Sequence, residues 1–380
     1  MATIKKREQD GAESYQVRYR DAEGKERSKQ FAKKRDAEAF RIKVEAEVVA
    51  GVHTPESTSL TVAEAAKLYL DGRKLRDLER STTNAYSSYI DCHIVPLMGA
   101  EKLATLTMPA VNKFAETLIK SGRSRTMAAR VLTTFRSILK DAMARGLVRQ
   151  NVAIGVTVPT GKRHKAKVAI PTKAELRAII ETAEAKFPDL YPLVLTAVFA
   201  GLRSSELRGL RRSDVDLRGG TITVDQRADQ WGVLDSPKSD AGRRTVPVPP
   251  MLVSVLRAWF LRSPVSAEGL AFPSKLGCVQ RPENLLKRGF YPLQIAAGVC
   301  DPTGKKDKRG APIMRARFGL HALRHAAASA WINQRVDLKR LQTWLGHSTI
   351  ELTMDRYGHL IADDAADAAI ARASEAALFG

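Results

Sequence analysis

The sequence predicts a multidomain chain of 380 residues: a small α+β unit, an all-α bundle, and a larger, mainly α domain with a small antiparallel sheet. Three observations carry this prediction. The length exceeds what one hydrophobic core usually supports. The apolar pattern alternates with period two in the first thirty residues and then takes helical spacing. Two turn-forming stretches, Gly51 to Ser59 and Val158 to Lys167, interrupt the helical pattern. We therefore place the units at 1–57, 58–160 and 168–380.

In the first unit, S-Y-Q-V-R-Y-R puts Tyr15, Val17 and Tyr19 on one strand face and Gln16, Arg18 and Arg20 on the other. A turn at A-E-G-K leads into a second strand, E-R-S-K-Q-F, carrying Arg27 and Lys29. Ala37, Phe40, Val44 and Val48 then follow at helical spacing, with Gly51 as the stop. A small sheet with a basic face and a supporting helix suits a DNA groove. Acidic residues nearly match basic ones here, so an ordinary solvated surface is the alternative. In the second unit, Thr61 and Ser81 are candidate helix caps, and later helices are expected near 109–120 and 125–144, the last closed by Gly146. Arg123, Arg125, Arg130, Arg136 and Lys140 gather in or beside that last helix. Such a run is by default a solvated face. Beyond Ile170, helical segments are interrupted by short β-like runs around Thr221 and Thr245.

Composition narrows the function. Lys and Arg number 62 against 41 Asp and Glu, a formal charge of +21. Each phosphate neutralised by such a chain releases condensed counterions, so a polyanionic partner is expected. The apolar run Tyr191 to Leu202 is too short to span a bilayer, and M-A-T-I-K-K-R-E lacks a signal-peptide core. We expect no membrane partner and a cytoplasmic, nucleoid-associated protein. Cys92, Cys278 and Cys300 are far apart and form no C-x-x-C pair, which argues against a disulfide framework or zinc. G-V-T-V-P-T-G-K resembles a phosphate loop, but it has five intervening residues, and Arg163 stands where Ser or Thr is needed. No cofactor is expected.

Four stretches in the third unit carry chemistry. A-G-L-R-S-S-E-L places Arg203 and Glu206 on one face of a helix. S-P-K-S-D-A-G-R-R-T-V-P-V sets Lys238 before a turn and a strand. G-L-H-A-L-R-H carries His321, Arg324 and His325. The two histidines have the spacing of a helical zinc pair, yet Ala322 occupies the position where a metalloprotease needs its glutamate, and no metal site is expected. W-L-G-H-S-T-I-E-L-T-M-D-R-Y-G-H-L supplies His347 and Tyr357. Phosphoryl transfer is mostly positioning and neutralisation of charge, which paired guanidiniums provide. A tyrosine becomes a nucleophile once a base or cationic field favours its ionisation, and a lysine can protonate a leaving oxygen. The set fits attack of tyrosine on a DNA phosphodiester.

Arg203, Lys238, His321-x-x-Arg324, the L-G-H of His347 and Tyr357, in this order, resemble the active-site set of the tyrosine recombinases, the phage-integrase family. The resemblance implies the tyrosine recombinase fold for the third unit, a SAM-like core-binding bundle for the second, and an arm-type DNA-binding domain for the first. It implies that Tyr357 attacks the scissile phosphate and is joined to the 3′ phosphate, freeing a 5′ hydroxyl. Arg203 and Arg324 would stabilise the phosphate, Lys238 would be the general acid, and His321 the general base. His347 would bond a phosphate oxygen, and Glu206 would support Arg203. Arg243 and Arg244 stand near Lys238 as alternatives for its role. Where many members carry a hydroxyl residue after R-H, this chain has Ala326. The implied partners are double-stranded attachment sites, a homotetramer on that DNA, and accessory excision or bending factors. The implied activity is integration or excision of a mobile element. A type IB topoisomerase-like enzyme resembles the same pocket, and a non-cutting DNA-binding protein of recombinase descent would share the basic surface. The Ala-rich tail after Tyr357 reads as a helix ending at Leu378 and Phe379, docked on a neighbouring protomer or on its own domain. The basic loop Lys305 to Gly310 is expected on the surface, in contact with DNA or disordered.

Overall fold

The alternation in the first thirty residues builds a three-stranded antiparallel sheet, β1 (Thr3–Gln9), β2 (Ala12–Arg20) and β3 (Glu26–Phe31), in that spatial order. One face is covered by helix α1 (Lys34–Val49), whose Ala37 and Val44 are buried against Val17 and Tyr19. A computed structural model describes residues 2–9, 12–21, 24–56, 59–75, 79–158 and 169–358, with isolated positions 373, 375, 377 and 379. The basic link expected at 158–167 and the tail helix therefore lie almost wholly outside the described residues. The chain divides into two compact units, 1–164 and 165–380.

Register sets the faces of the second and third strands. Arg27 pairs with Tyr19 and Lys29 with Val17, so both point to the α1 side rather than to the outer face. There Arg27 meets Asp21 at 3.0 Å, and Lys29 bonds Glu56 and lies over the rings of Phe31 and Phe40. The outer face instead carries Lys5, Arg7, Arg18 and Arg20. Lys5 and Arg7 belong to the strand that the sequence pattern did not indicate.

The rest of the first unit is helical: α2 (Val62–Lys74), α3 (Arg80–Tyr89), α4 (Val95–Met98), α5 (Met108–Lys120) and α6 (Arg125–Ala144). Thr61 caps α2 in a capping box with Glu64. Helix α3 starts one residue before the expected cap at Ser81, with Glu79 in the capping position and no side-chain bond there. The core of the bundle is Tyr69, Ile94, Phe114, Leu132, Phe135 and Ile138 with their neighbours. Of the basic residues along α6, Arg136 is not simply solvated: it donates to the carbonyls of Ala153 (2.9 Å) and Val156.

The second unit begins with α7 (Lys173–Lys186), α8 (Tyr191–Ala200) and α9 (Ser204–Gly209). Strands β4 (Val215–Asp216), β5 (Thr221–Val224) and β8 (Arg244–Pro247) form a small antiparallel sheet in that order, matching the runs expected near Thr221 and Thr245. Between β5 and β8 lies a two-stranded hairpin, β6 (Arg227–Ala228) and β7 (Leu234–Asp235). Helices α10 (Pro250–Arg262), α11 (Pro282–Asn284) and α12 (Tyr291–Ala296) follow. A second hairpin, β9 (Cys300–Lys306) and β10 (Pro312–Ala316), occupies the region expected as a basic loop. Its turn is ordered by Asp307, whose carboxylate accepts from the amides of Arg309 (2.8 Å) and Ala311 (2.9 Å). Helices α13 (His321–Asn333), α14 (Leu338–Leu345) and α15 (Ile350–Tyr357) complete the unit. Apolar α8 is buried among α7, α10 and α13, which anchors the start of α9. Among the described residues, no helix is long and apolar enough to cross a membrane.

Candidate active site

Helix α8 ends at Gly201 in the left-handed conformation, φ 59°, and a Cβ there would stand 2.9 Å from the Trp331 ring on α13. The chain can then turn sharply into α9, with Arg203 at its N-cap and Glu206 one turn inside. Glu206 is 3% exposed and gathers three guanidiniums. Its Oε1 accepts from Arg203 Nη1 (2.7 Å) and Arg244 Nη1 (3.1 Å), and its Oε2 from Arg244 Nη2 (2.8 Å) and the Arg203 amide (2.8 Å). Arg324 Nη1 stands 4.0 Å from Oε2.

The same three arginines close the end of α14. The final carbonyls of a helix have no partner within it and carry its negative dipole end. Arg244 Nε donates to Trp344 (2.7 Å), Arg324 Nη2 to Leu345, and Arg203 Nη2 to Gly346 (2.8 Å). Each of three successive carbonyls thus receives one guanidinium. Gly346 permits this because it adopts φ 60°, and a Cβ there would meet the Ala241 carbonyl and Arg244 Nη1, each at 2.9 Å. Arg324 is fixed further by the Gly201 carbonyl, 2.8 Å from its Nη1. The A-G-L-R and W-L-G-H stretches, over 140 residues apart, are held together by side chains of the site itself.

Charge explains why this cluster is stable though buried. Burial alone would raise the Glu206 carboxyl, but the Arg244 hydrogen bonds and the charges of Arg244, Arg203 and Arg324 outweigh it and hold it at about 2. Burial and the neighbouring Arg203 push Arg324 down to about 9, so it stays charged at neutral pH. Three guanidiniums against one carboxylate leave a local excess of two positive charges, an arrangement that awaits an anion.

Lys238 is exposed on the loop after β7 and, with Arg203, Ser205, Glu206, Arg227, Ser239 and Gly242, lines a cavity of about 140 Å³. That loop is braced from below: Arg227 donates to the Ser236 carbonyl (3.0 Å), and buried Arg208 to those of Ala228 (2.8 Å) and Asp229 (2.9 Å). The alternatives to Lys238 sort themselves by position. Arg243 pairs with Asp225 at 3.5 Å on the surface, whereas Arg244 lies beneath Glu206.

Tyr357 ends α15 and is 1% exposed, its ring packed with Ala328, Leu341 and Leu345. Its hydroxyl lies 2.6 Å from Nδ1 of His325, the residue after Arg324 on α13. His321 is exposed at the start of the same helix, its ring edge-on to His325 at 4.6 Å. His347 follows the Gly346 turn, and its Nδ1 lies 2.9 Å from the hydroxyl of buried Thr353, one helical turn before Tyr357. The structure therefore brings together Arg203, Glu206, Arg324 and the turn leading to His347, places Lys238 at the adjoining cavity, and sets Tyr357 against His325. Arg244, Thr353 and the contact of His325 were not assigned from sequence. R-R-T-V-P-V offered two adjacent arginines without distinguishing their faces; strand alternation, with Val246 inward, was the available signal for Arg244.

Comparison with known proteins bears on the family and the fold. The pattern of the phage integrase family matches residues 171–363. The prophage phiRv2 integrase of Mycobacterium tuberculosis is 30% identical over 348 residues, covering 87% of this chain and 84% of that protein. Tyrosine recombinase XerC of Alcanivorax borkumensis is 27% identical over 295 residues, covering 75% and 85%. Among solved structures, the Tn1549 transposon integrase in complex with transposon right end DNA superposes with a TM-score of 0.67 at 17% identity, over 83% of this chain and all of that one. A lambda integrase tetramer bound to a Holliday junction gives 0.58 at 19% identity, over 90% and 95%. The chain belongs to the phage integrase family, the tyrosine recombinases.

Proposed function

We propose that this protein is a site-specific DNA recombinase that integrates or excises a mobile element by cutting and rejoining strands through a 3′-phosphotyrosyl intermediate. The convergence of Arg203, Arg244 and Arg324 on Glu206 and on the end of α14 carries this reading. Its net positive charge stands ready for a scissile phosphate.

In this mechanism Arg203 and Arg324 take the non-bridging oxygens, whose negative charge grows as the transition state forms. Glu206 and Arg244 fix those guanidiniums in advance, so little reorganisation accompanies the reaction. The Tyr357 oxygen attacks phosphorus, the bond to the 5′ oxygen breaks, and Lys238 Nζ gives that oxygen its proton. His321, which the family resemblance makes the general base, is exposed at the start of α13, and His347 donates to one of the phosphate oxygens. Rejoining is the reverse, with the 5′ hydroxyl of the partner strand as nucleophile. The ester conserves the energy of the broken bond, in keeping with a sequence that lacks an ATP loop.

Residues 168–380 serve in this account as the catalytic domain, 58–160 as the core-binding domain and 1–57 as an arm-type domain whose outer face, with Lys5, Arg7, Arg18 and Arg20, enters a groove. Two duplexes must be cut and exchanged, so the working form is a homotetramer on DNA, like the lambda integrase assembly. The test is a duplex carrying candidate attachment sequence, nicked so that the freed end diffuses away. A covalent adduct that forms in EDTA and vanishes in Tyr357→Phe is expected. Exchange between paired sites then separates recombination from simple relaxation. DNA that is bound but never joined to protein would favour the non-cutting reading.

A further inference from the structure

A tyrosine hydroxyl, with an ordinary pKa around 10, must surrender its proton as it attacks, and the accepting atom has to lie within about 2.6–3.2 Å. In this structure that condition is met by His325. Its Nδ1 is 2.6 Å from the Tyr357 hydroxyl, and the two residues are 6% and 1% exposed, so bulk water has little access to the contact. Helix α13 fixes the ring from both sides in sequence. Arg324, the preceding residue, is anchored to the Gly201 and Leu345 carbonyls, and the ring of His321, one turn earlier, stands edge-on at 86°. The imidazole has little freedom to leave the hydroxyl, while Tyr357 is held against it by Leu341 and Leu345.

The geometry points to His325 as a catalytic residue: it takes the Tyr357 proton during strand cleavage and returns it during rejoining. This rests on the recombinase reading above. With its proton on Nε2, the ring accepts at Nδ1. The O–H bond of Tyr357 breaks, the proton passes to Nδ1, and the phenolate oxygen bonds to phosphorus. The bond from phosphorus to the 5′ oxygen breaks, and that oxygen takes a proton from Lys238. On rejoining, the 5′ hydroxyl attacks and returns its proton to Lys238, the bond from phosphorus to the Tyr357 oxygen breaks, and His325 gives the departing phenolate its proton back. His321, nearer to solvent, is left to the phosphate.

The experiment uses full-length protein and nicked duplexes with either the normal phosphodiester or a sulfur atom in place of the bridging 5′ oxygen. The thiolate leaves without a proton, so Lys238→Ala should recover on the sulfur substrate. His325→Asn keeps a hydrogen-bonding group near the position of Nδ1 but cannot act as a base. Adduct formation by His325→Asn is expected to fall on the order of 10²-fold to 10³-fold on both substrates, with DNA affinity and melting temperature close to wild type. Added imidazole should accelerate His325→Ala and not Lys238→Ala, which separates lost base function from damaged packing. Rates for His325→Asn within threefold of wild type would overturn the assignment. Recovery of that variant on the sulfur substrate would also overturn it, by moving the residue to the leaving-group side. Absence of any adduct with wild type on bound DNA would instead overturn the recombinase reading itself.

Discussion

Glu206 and Arg244 form a deeply buried ion pair, 3% and 1% exposed at their side chains. Arg244→Ala removes two of the four hydrogen bonds to Glu206 and leaves those from Arg203, so it should destabilise the protein by about 1–3 kcal/mol as well as slow cleavage. Arg244→Lys is the more informative change. A single ammonium cannot serve both Glu206 oxygens and the Trp344 carbonyl. Adduct formation should drop about tenfold to a hundredfold while DNA binding persists, as a cleavage time course and a binding titration would show. Acid provides a second residue-scale check. The folded Glu206 sits at about 2, below its ordinary value of 4.5, so its contribution is present above pH 4.5 and is lost as pH falls toward 2. That contribution is on the order of 3 kcal/mol. Melting curves should show wild type losing its advantage over Glu206→Gln through that window; a constant difference would contradict the assignment. Arg203, Lys238, His321, Arg324, His347, Glu206 and Tyr357 could be named as candidates because they stand, in order, in stretches that resemble the boxes of a known family. Arg244 was weighed only as an alternative to Lys238, and His325 only as half of a zinc pair. Their importance lies in contacts to Glu206, 38 residues away, and to Tyr357, 32 residues away, which no local pattern records.

At the scale of elements, the site is a junction of two helix ends and a third helix. The end of α8 turns at Gly201 to present Arg203, the end of α14 turns at Gly346 to present His347, and α13 lies across both through Arg324. Helix α15 is keyed into this junction by the contact between Thr353 and His347. Thr353→Val keeps the shape of a fully buried side chain and removes the hydroxyl. We expect the loss of one buried hydrogen bond, about 1–3 kcal/mol, and a cleavage rate about tenfold lower with unchanged affinity. Equal rates in Thr353→Val and wild type would show that His347 is positioned without α15. The helices of the bundle were readable almost to the residue where capping chemistry was explicit, as at Thr61 and for Arg125–Ala144. Strand β1 escaped notice because T-I-K-K-R-E-Q carries a single apolar side chain and gains its extended form from pairing with β2. The loop at Lys305 to Gly310 turned out to be a hairpin because the Asp307 side chain supplies a turn that its composition masked.

For the whole molecule, the charge of +21 is spent on more than one surface. The cluster around Glu206 buries Arg244 and Arg324 and partly buries Arg203, while the N-terminal sheet exposes Lys5, Arg7 and Arg20 beside Arg18. If all four meet phosphates, replacing them with alanine should lower the slope of log affinity against log salt by about 3 to 4 in a titration of the full chain on duplex DNA. An unchanged slope would mean that the sheet does not touch the backbone. The turn-rich stretch expected at 158–167 coincides with the division between the two compact units, whereas the side chains that join distant stretches of the site could not be read from sequence. The central claim is that Tyr357 carries the broken strand. The measurement that tests it most directly is mass spectrometry of protease fragments from the trapped adduct. A nucleotide joined through its 3′ phosphate to the fragment holding Tyr357 is the predicted result. The same mass on any other residue, or an adduct that survives Tyr357→Phe, would contradict it.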